Sequence, residues 1–254
     1  MSVLTAKNIT KIYGGKDEES STAALNGVSL SIEAGEFVGI MGPSGSGKTT
    51  LVNILSGISK PTSGSVFIDE KDITKLDKYE MALFRRQKLG FVFQEFNLLD
   101  SLTLRENVML PMILDKREAE HMKARAKEIM TLFDIEAIGD KYPYNVSGGQ
   151  QQRAAVSRAL VNEPVIVFAD EPTGNLDSKS SNAVMNCFKK MNEDKNSTIL
   201  MVTHDAFAAS FCKKIIFIKD GRINMEIVNK GDRKEFFNSI LDCLAVIGGE
   251  RVDL

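Results

Sequence analysis

Short continuous apolar runs alternate along this chain with stretches in which apolar positions recur every three or four residues. The runs Glu36 to Met41, Gly90 to Phe93, Val165 to Ala169 and Thr198 to Val202 suit strands buried on both faces. Val28, Leu30 and Ile32 alternate instead with polar neighbours, which predicts a half-exposed strand of a smaller antiparallel unit. Ile215 to Lys219 and Arg222 to Val228 flank Asp220-Gly221, the signal of a tight hairpin. The period then lengthens over Glu118 to Phe133, where Met122, Ala126, Ile129 and Phe133 share one helical face. Near the end, Asp232 and Glu235 have capping-box spacing ahead of a stripe of Phe236, Phe237, Ile240, Leu241 and Leu244, closed by Gly248-Gly249.

This alternation predicts an α/β fold with a mainly parallel central sheet, a smaller antiparallel β part and an inserted helical segment. The expected division is a core of residues 1–94 and 163–229, a helical part of 95–162, and a helical tail of 230–254. A polar loop is expected from Gly14 to Ser21. No repeat of fixed period interrupts the pattern.

Composition narrows the function classes. With 254 residues, 43% of them hydrophobic and 26% charged, the chain can bury a large core. Its 32 Lys and Arg against 34 Asp and Glu provide no broad basic field for a nucleic-acid backbone. The start, MSVLTAKNITKIYGG, lacks the apolar core and cleavage site of a secretory signal, which predicts a cytoplasmic chain. Its apolar runs fall short of the roughly 20 residues of a membrane helix, so any membrane association is expected through a partner. Three cysteines without CxxC spacing and two histidines argue against disulfides and structural zinc.

The strongest chemical signal is Gly42-Pro43-Ser44-Gly45-Ser46-Gly47-Lys48-Thr49, directly after the apolar run Phe37 to Met41 and followed by Thr50. It fits G-x-x-x-x-G-K-[ST], a P-loop. Glycines let backbone amides curl around phosphate oxygens, and the following helix adds its positive end. Lys48 would reach the β and γ phosphates, and the Thr49 hydroxyl would bind Mg²⁺. Such a loop serves kinases, GTPases and helicases alike. The run Val165 to Ala169 adds Asp170 at a strand end, aimed at the metal shell, and Glu171 beside it, suited to polarise the attacking water.

Val146-Ser147-Gly148-Gly149-Gln150 is similar to the ABC signature, with Val146 in place of the usual Leu. Ser147 and Gln150 also have capping-box spacing at the start of a helix, leaving two glycine amides open to an anion. The chain thus resembles the ABC transporter ATP-binding subunits, with a P-loop NTPase fold and a RecA-like core. That resemblance implies ATP and Mg²⁺ as cofactors and transport-coupled ATP hydrolysis. It implies a homodimer in the ATP-bound state and an integral membrane permease as second partner, which would hold the chain peripherally at the cytoplasmic face. Residue by residue, it implies that Gln94 is the Q-loop glutamine that touches Mg²⁺ or its water and feels the membrane partner, that Asn175-Leu176-Asp177 is the D-loop crossing the dimer, that His204 is the switch histidine at the γ phosphate, and that Tyr13 stacks on adenine. His121, on a polar helical face, is assigned to solvent.

Gly35 to Gly57, Asn97 to Thr103 and Phe168 to Leu176 are similar to the macrolide-exporter and lipoprotein-releasing branch. Ile218 to Gly221 and the tail from Lys230 to Phe237 look most like the bacitracin and lantibiotic resistance transporters of Gram-positive bacteria. A mechanotransmitting ATPase that moves no cargo would share every motif above. The apolar stretch Phe96, Leu98, Leu99, Leu102 and Leu104, just after Gln94, is expected either to receive a helix of the membrane protein or to pack as core.

Overall fold

The alternating segment becomes β2 (Thr22–Glu33), whose inward residues Leu25, Val28, Leu30 and Ile32 are buried while their neighbours face outward. It pairs antiparallel with β1 (Ser2–Tyr13), setting Leu4 opposite Ile32 and Ile9 opposite Val28. With β4 (Ser63–Ile68) and β5 (Lys71–Asp72) these make a four-stranded sheet in the order β2-β1-β4-β5. The computed structural model describes residues 1–14 and 21–248, so all but the ends of the expected loop Gly14 to Ser21 lies outside the described residues, as does Gly249. The chain divides into two compact units, the first Met1–Met81 with the return from Leu200 onward, the second Ala82–Ile199.

The first unit also holds β3 (Phe37–Met41), every residue of which is buried, leading to α1 (Lys48–Leu55). Parallel to β3 runs β9 (Lys214–Lys219), with Gly39 opposite Ile215 and Met41 opposite Phe217. β10 (Arg222–Val228) folds back on β9 through Asp220 and Gly221, whose φ values of 51° and 70° suit a type I′ turn. On the other side of β3, β8 (Ile199–Val202) brings the chain back, and Thr203 N–H donates to Ile40 O at 3.2 Å. After β8 come the short α7 (Ala206–Ala209) and the tail helix α8 (Arg233–Gly248). Phe236, Ile240 and Ile247 of α8 are buried, Arg233 lies over the Phe211 ring at 4.0 Å, and Lys219 Nζ donates to Ile247 O at 2.9 Å. The buried stripe therefore ends on Ile247. Leu241 is exposed, because a helix turning 100° per residue carries it off the face that Phe236 and Ile240 define.

In the second unit β6 (Leu89–Val92) and β7 (Ile166–Asp170) pair in parallel, Leu89 opposite Ile166 and Val92 opposite Ala169. α2 (Lys78–Lys88) leads the chain in. Its helices are α3 (Leu104–Leu114), α4 (Ala119–Leu132), α5 (Gly148–Leu160) and α6 (Ser178–Lys195). α4 buries Ala126, Ile129 and Met130, with Phe133 buried at its C-cap, close to the periodic reading. α5 packs against α3, α4 and α6 through Ala154, Ala155, Val156, Ala159 and Leu160. Small side chains there let helix axes come close. Among the described residues, no helix is long and apolar enough to cross a membrane.

Candidate functional site: a phosphate cradle and a carboxylate turn

The first unit carries the glycine loop expected to cradle phosphates. β3 ends at Met41 and the chain turns through residues 42–47 into α1. A Cβ on Gly42 would stand 2.1 Å from Ile218 O, so only glycine lets the loop lie against β9. Gly45, at φ 76°, has nothing within 4 Å of its Cβ position and presents an open face. Pro43, Ser44 and Gly45 are exposed, Gly47, Lys48 and Thr50 half-buried, and Thr49 exposed. Lys48 Nζ folds back over the loop, donating to Gly42 O and Pro43 O at 2.9 Å each. Ser46 Oγ is buried with no hydrogen-bond partner. No side chain caps the N-terminus of α1, and no acidic residue sits in its first turn. A cation, a lone buried hydroxyl and an uncapped helix start are what a polyphosphate satisfies.

Tyr13 is 48% exposed, with Lys11 Nζ 5.0 Å from its ring centroid. Exposed His204 follows β8 in a turn fixed on its far side. There Asp205 N–H donates to Thr203 Oγ1 at 3.0 Å, and the Asp205 carboxylate caps α7 by accepting from Phe207 N–H at 2.9 Å.

The second unit carries the acidic turn. Asp170 ends β7, and Glu171 follows with φ 46° directly before Pro172. A left-handed backbone at a non-glycine residue costs about 1–3 kcal/mol and recurs where catalytic groups must be aimed. Gly174 N–H donates to Glu171 O at 3.1 Å, closing the turn. Gln94 lies against this turn: its Nε2 donates to Asn175 Oδ1 at 3.0 Å, and a Cβ on Gly174 would come within 2.9 Å of that nitrogen.

Ser147 and Gln150 form a reciprocal capping box at the start of α5, Ser147 N–H donating to Gln150 Oε1 at 2.9 Å and Gln150 N–H to Ser147 Oγ at 3.4 Å. The box uses neither glycine amide. Gly149 is also required for packing, since its Cβ would meet Ser180 Cβ at 2.9 Å, whereas one on Gly148 would make only ordinary contact. Asp177 caps α6, accepting from Lys179 N–H at 2.9 Å, Ser180 N–H at 3.0 Å and Ser180 Oγ at 2.8 Å. The Ser180 bonds above all hold its carboxyl below the usual carboxylate range.

Of the apolar stretch after Gln94, Leu104 is wholly buried core, Phe96, Leu98 and Leu102 are half-buried, and Leu99 is 47% exposed. Buried Asn107 holds this stretch from inside, donating to Leu99, Leu102 and Thr103 carbonyls and accepting from Leu99 N–H. Beside it opens a groove of about 600 Å³ with Phe91, Phe93, Leu110, Pro111, Leu114 and Arg85 in its lining.

Two residues of this unit escaped the sequence reading. Arg158 donates to the carbonyls of Phe96 and Asn97, a pair with φ values of 58° and 50°, and burial pulls its guanidinium below its ordinary value. Gln152 is wholly buried and donates to Phe93 O and Pro172 O. Its position three, four and seven residues before Ala155, Val156 and Ala159 puts it on the buried stripe of α5, a signal present in the sequence.

A model of the ABC transporter family matches residues 25–174. The chain is 54% identical over 250 residues to YvcR of Bacillus subtilis, an ABC transporter ATP-binding protein, across 98% of this chain and 96% of YvcR. It is 48% identical over 255 residues to the bacitracin export ATP-binding protein BceA of Halalkalibacterium halodurans, across the whole of both. Among solved structures it is similar to the ATP-binding cassette MJ0796 of Methanocaldococcus jannaschii, in a dimeric post-hydrolysis state bound to ADP and Pi, at TM-score 0.80 and 45% identity. That match covers 90% of this chain and 100% of the other.

Proposed function

Because this chain belongs to the ABC transporter family and is an ATP-hydrolysing subunit of it, we propose that two copies close on ATP together and drive a separate membrane permease. The observation that supports the reading is the glycine loop, where Lys48 folds back over the loop carbonyls, the buried Ser46 hydroxyl has no hydrogen-bond partner and no side chain caps the start of α1. The loop of Gly42, Pro43, Ser44, Gly45, Ser46 and Gly47 wraps the phosphates. Lys48 exchanges its two carbonyl bonds for phosphate oxygens, Thr50 continues the loop's grip, and Tyr13 stacks on the base. Thr49, Gln94 and Asp170 offer the hard oxygen donors that suit Mg²⁺, which when bound neutralises developing phosphate charge. Glu171 takes the proton of the attacking water, and His204 contacts the γ phosphate and registers its loss.

Ser147, Gly148, Gly149 and Gln150 of one copy cover the nucleotide held by the other, with glycine amides and the α5 dipole toward the γ phosphate. Asp177 braces the same junction, at the first turn of α6 beside Gly149. The permease offers a cytoplasmic helix to the groove beside Gln94, which holds the ATPase at the membrane. Identity to BceA over its whole length supports a cargo of the peptide-antibiotic class. Transport of labelled bacitracin into vesicles holding the chain and its permease tests that class, and stimulated hydrolysis without uptake would favour force transmission alone.

Glu171→Gln keeps the shape of the site and removes the base. It should bind ATP, turn over at least about a hundredfold more slowly, and accumulate as a dimer. Light scattering of this variant with ATP and Mg²⁺ checks it. A monomer at saturating nucleotide, with wild-type hydrolysis independent of protein concentration, would overturn the two-copy mechanism.

A further inference from the structure

Gln152 stands one helical turn beyond the Gly148-Gly149 amides on α5 and has no solvent exposure. Its Nε2 donates to Phe93 O at 3.1 Å and to Pro172 O at 2.6 Å. Phe93 immediately precedes Gln94, and Pro172 immediately follows Glu171. One carboxamide therefore joins α5 to the backbone beside both Gln94 and Glu171. Carbonyls only accept, so the nitrogen must face both of them. Gln152 Oε1 has no hydrogen-bond partner, and the side chain is held by its donor bonds alone.

What those bonds hold is a conformation the backbone would not keep by itself. Glu171 has φ 46° ahead of a proline, and such residues persist only where the surroundings over-determine them. Gly174 N–H fixes the Glu171 carbonyl, and Gln152 fixes the next one along. We propose that Gln152 is a positioning residue for hydrolysis, tying the helix that meets the second copy's nucleotide to the backbone that aims Glu171 and Gln94. A shift of α5 on nucleotide engagement is then passed through one turn of helix to the catalytic carboxylate, with no contact between Gln152 and substrate. This rests on the role given to Glu171 above.

The test uses the full-length chain. Gln152→Met keeps the length of the side chain and removes both donors. Turnover should fall at least about tenfold while KM for ATP stays within about twofold, the mark of an interaction that matters only in the transition state. In single-turnover release of labelled phosphate, Gln152→Met with Glu171→Gln should be no more than about twofold slower than Glu171→Gln alone, since no base is left to aim. Should Gln152→Met not fold, Gln152→Asn keeps the amide one methylene short and should lose turnover at unchanged ATP affinity. Wild-type turnover in either folded variant overturns the proposal, as do losses that multiply in the double variant. A wild-type rate in Glu171→Gln itself would instead overturn the reading of the base, whatever the Gln152 variants do.

Discussion

Replacing Gly149 with Ala puts one methyl where α5 and α6 have no room for it. The added Cβ would sit 2.9 Å from both Cβ and Oγ of Ser180 and 3.6 Å from its Cα. Carbon atoms rest at about 3.5–4.0 Å, so the first turn of α6 must move by roughly half an ångström or more. Ser180 is not free to swing aside, because its hydroxyl and its amide both bond the Asp177 carboxylate. Overpacking of this kind costs about 1–3 kcal/mol, which in a domain of this size lowers the melting temperature by about 2–12 °C. Ser180→Gly removes both clashing atoms, at about 1 kcal/mol or less for a glycine in a helix. Melting of the two single variants and the pair measures the coupling. The double variant should be more stable than Gly149→Ala alone, with a favourable interaction of at least about 1 kcal/mol. Two losses that simply add would refute the contact as the reason for glycine at 149, leaving access to the backbone amide as the remaining requirement.

Lys48→Ala should weaken ATP binding about 10- to 150-fold in a fluorescence titration, the value of one lost charge-assisted bond of about 1.5–3 kcal/mol. Asp177 contributes stability because its carboxyl is held below the usual range in the folded chain. That contribution is complete above the unfolded value near about 3.9 and is lost as pH falls through the lowered one. Melting curves of Asp177→Ala should therefore converge on those of the native chain at acid pH and diverge at neutral pH. On the tail, Ile240→Ala should cost about 2–5 kcal/mol of stability and Leu241→Ala less than about 0.5 kcal/mol. Unchanged melting of Ile240→Ala with impaired complex assembly would instead turn the buried face of α8 toward a partner.

The parts of the molecule most legible in the sequence are those whose geometry is fixed by a few adjacent residues. Strand, glycine loop and helix from Phe37 to Leu55 follow one another without an interruption, so the order of elements can be read from adjacent residues. Asp220-Gly221 is equally local, because two consecutive positive φ values are required and these two residue types tolerate them. The Ser147–Gln150 box is local for the same reason. β1 was harder: its twelve residues shift register around Asn8, where φ is 50°, and the alternation of apolar and polar positions slips with it. The tail stripe is read as Phe236, Phe237, Ile240, Leu241 and Leu244, yet the buried residues are Phe236, Ile240 and Ile247, because burial depends on contacts with α7 and β9 that the stripe itself does not contain.

Gln150, Gln151 and Gln152 show where residue type stops being informative. All three have the same chemistry. Their fates differ by rotation alone. At 100° per residue, Gln152 points about 200° away from Gln150, so that the first closes a cap in partial exposure while the third enters the core. A polar side chain on the same stripe as Ala155, Val156 and Ala159 must find partners there or destabilise the fold, which makes its position a prediction of hydrogen bonds before any are seen. What the stripe cannot supply is the identity of those partners. Phe93 O and Pro172 O come from two strand ends that become neighbours only when β6 pairs with β7, with Val92 opposite Ala169. The register of that pair is therefore what lets one buried glutamine link α5 to the turn after β7.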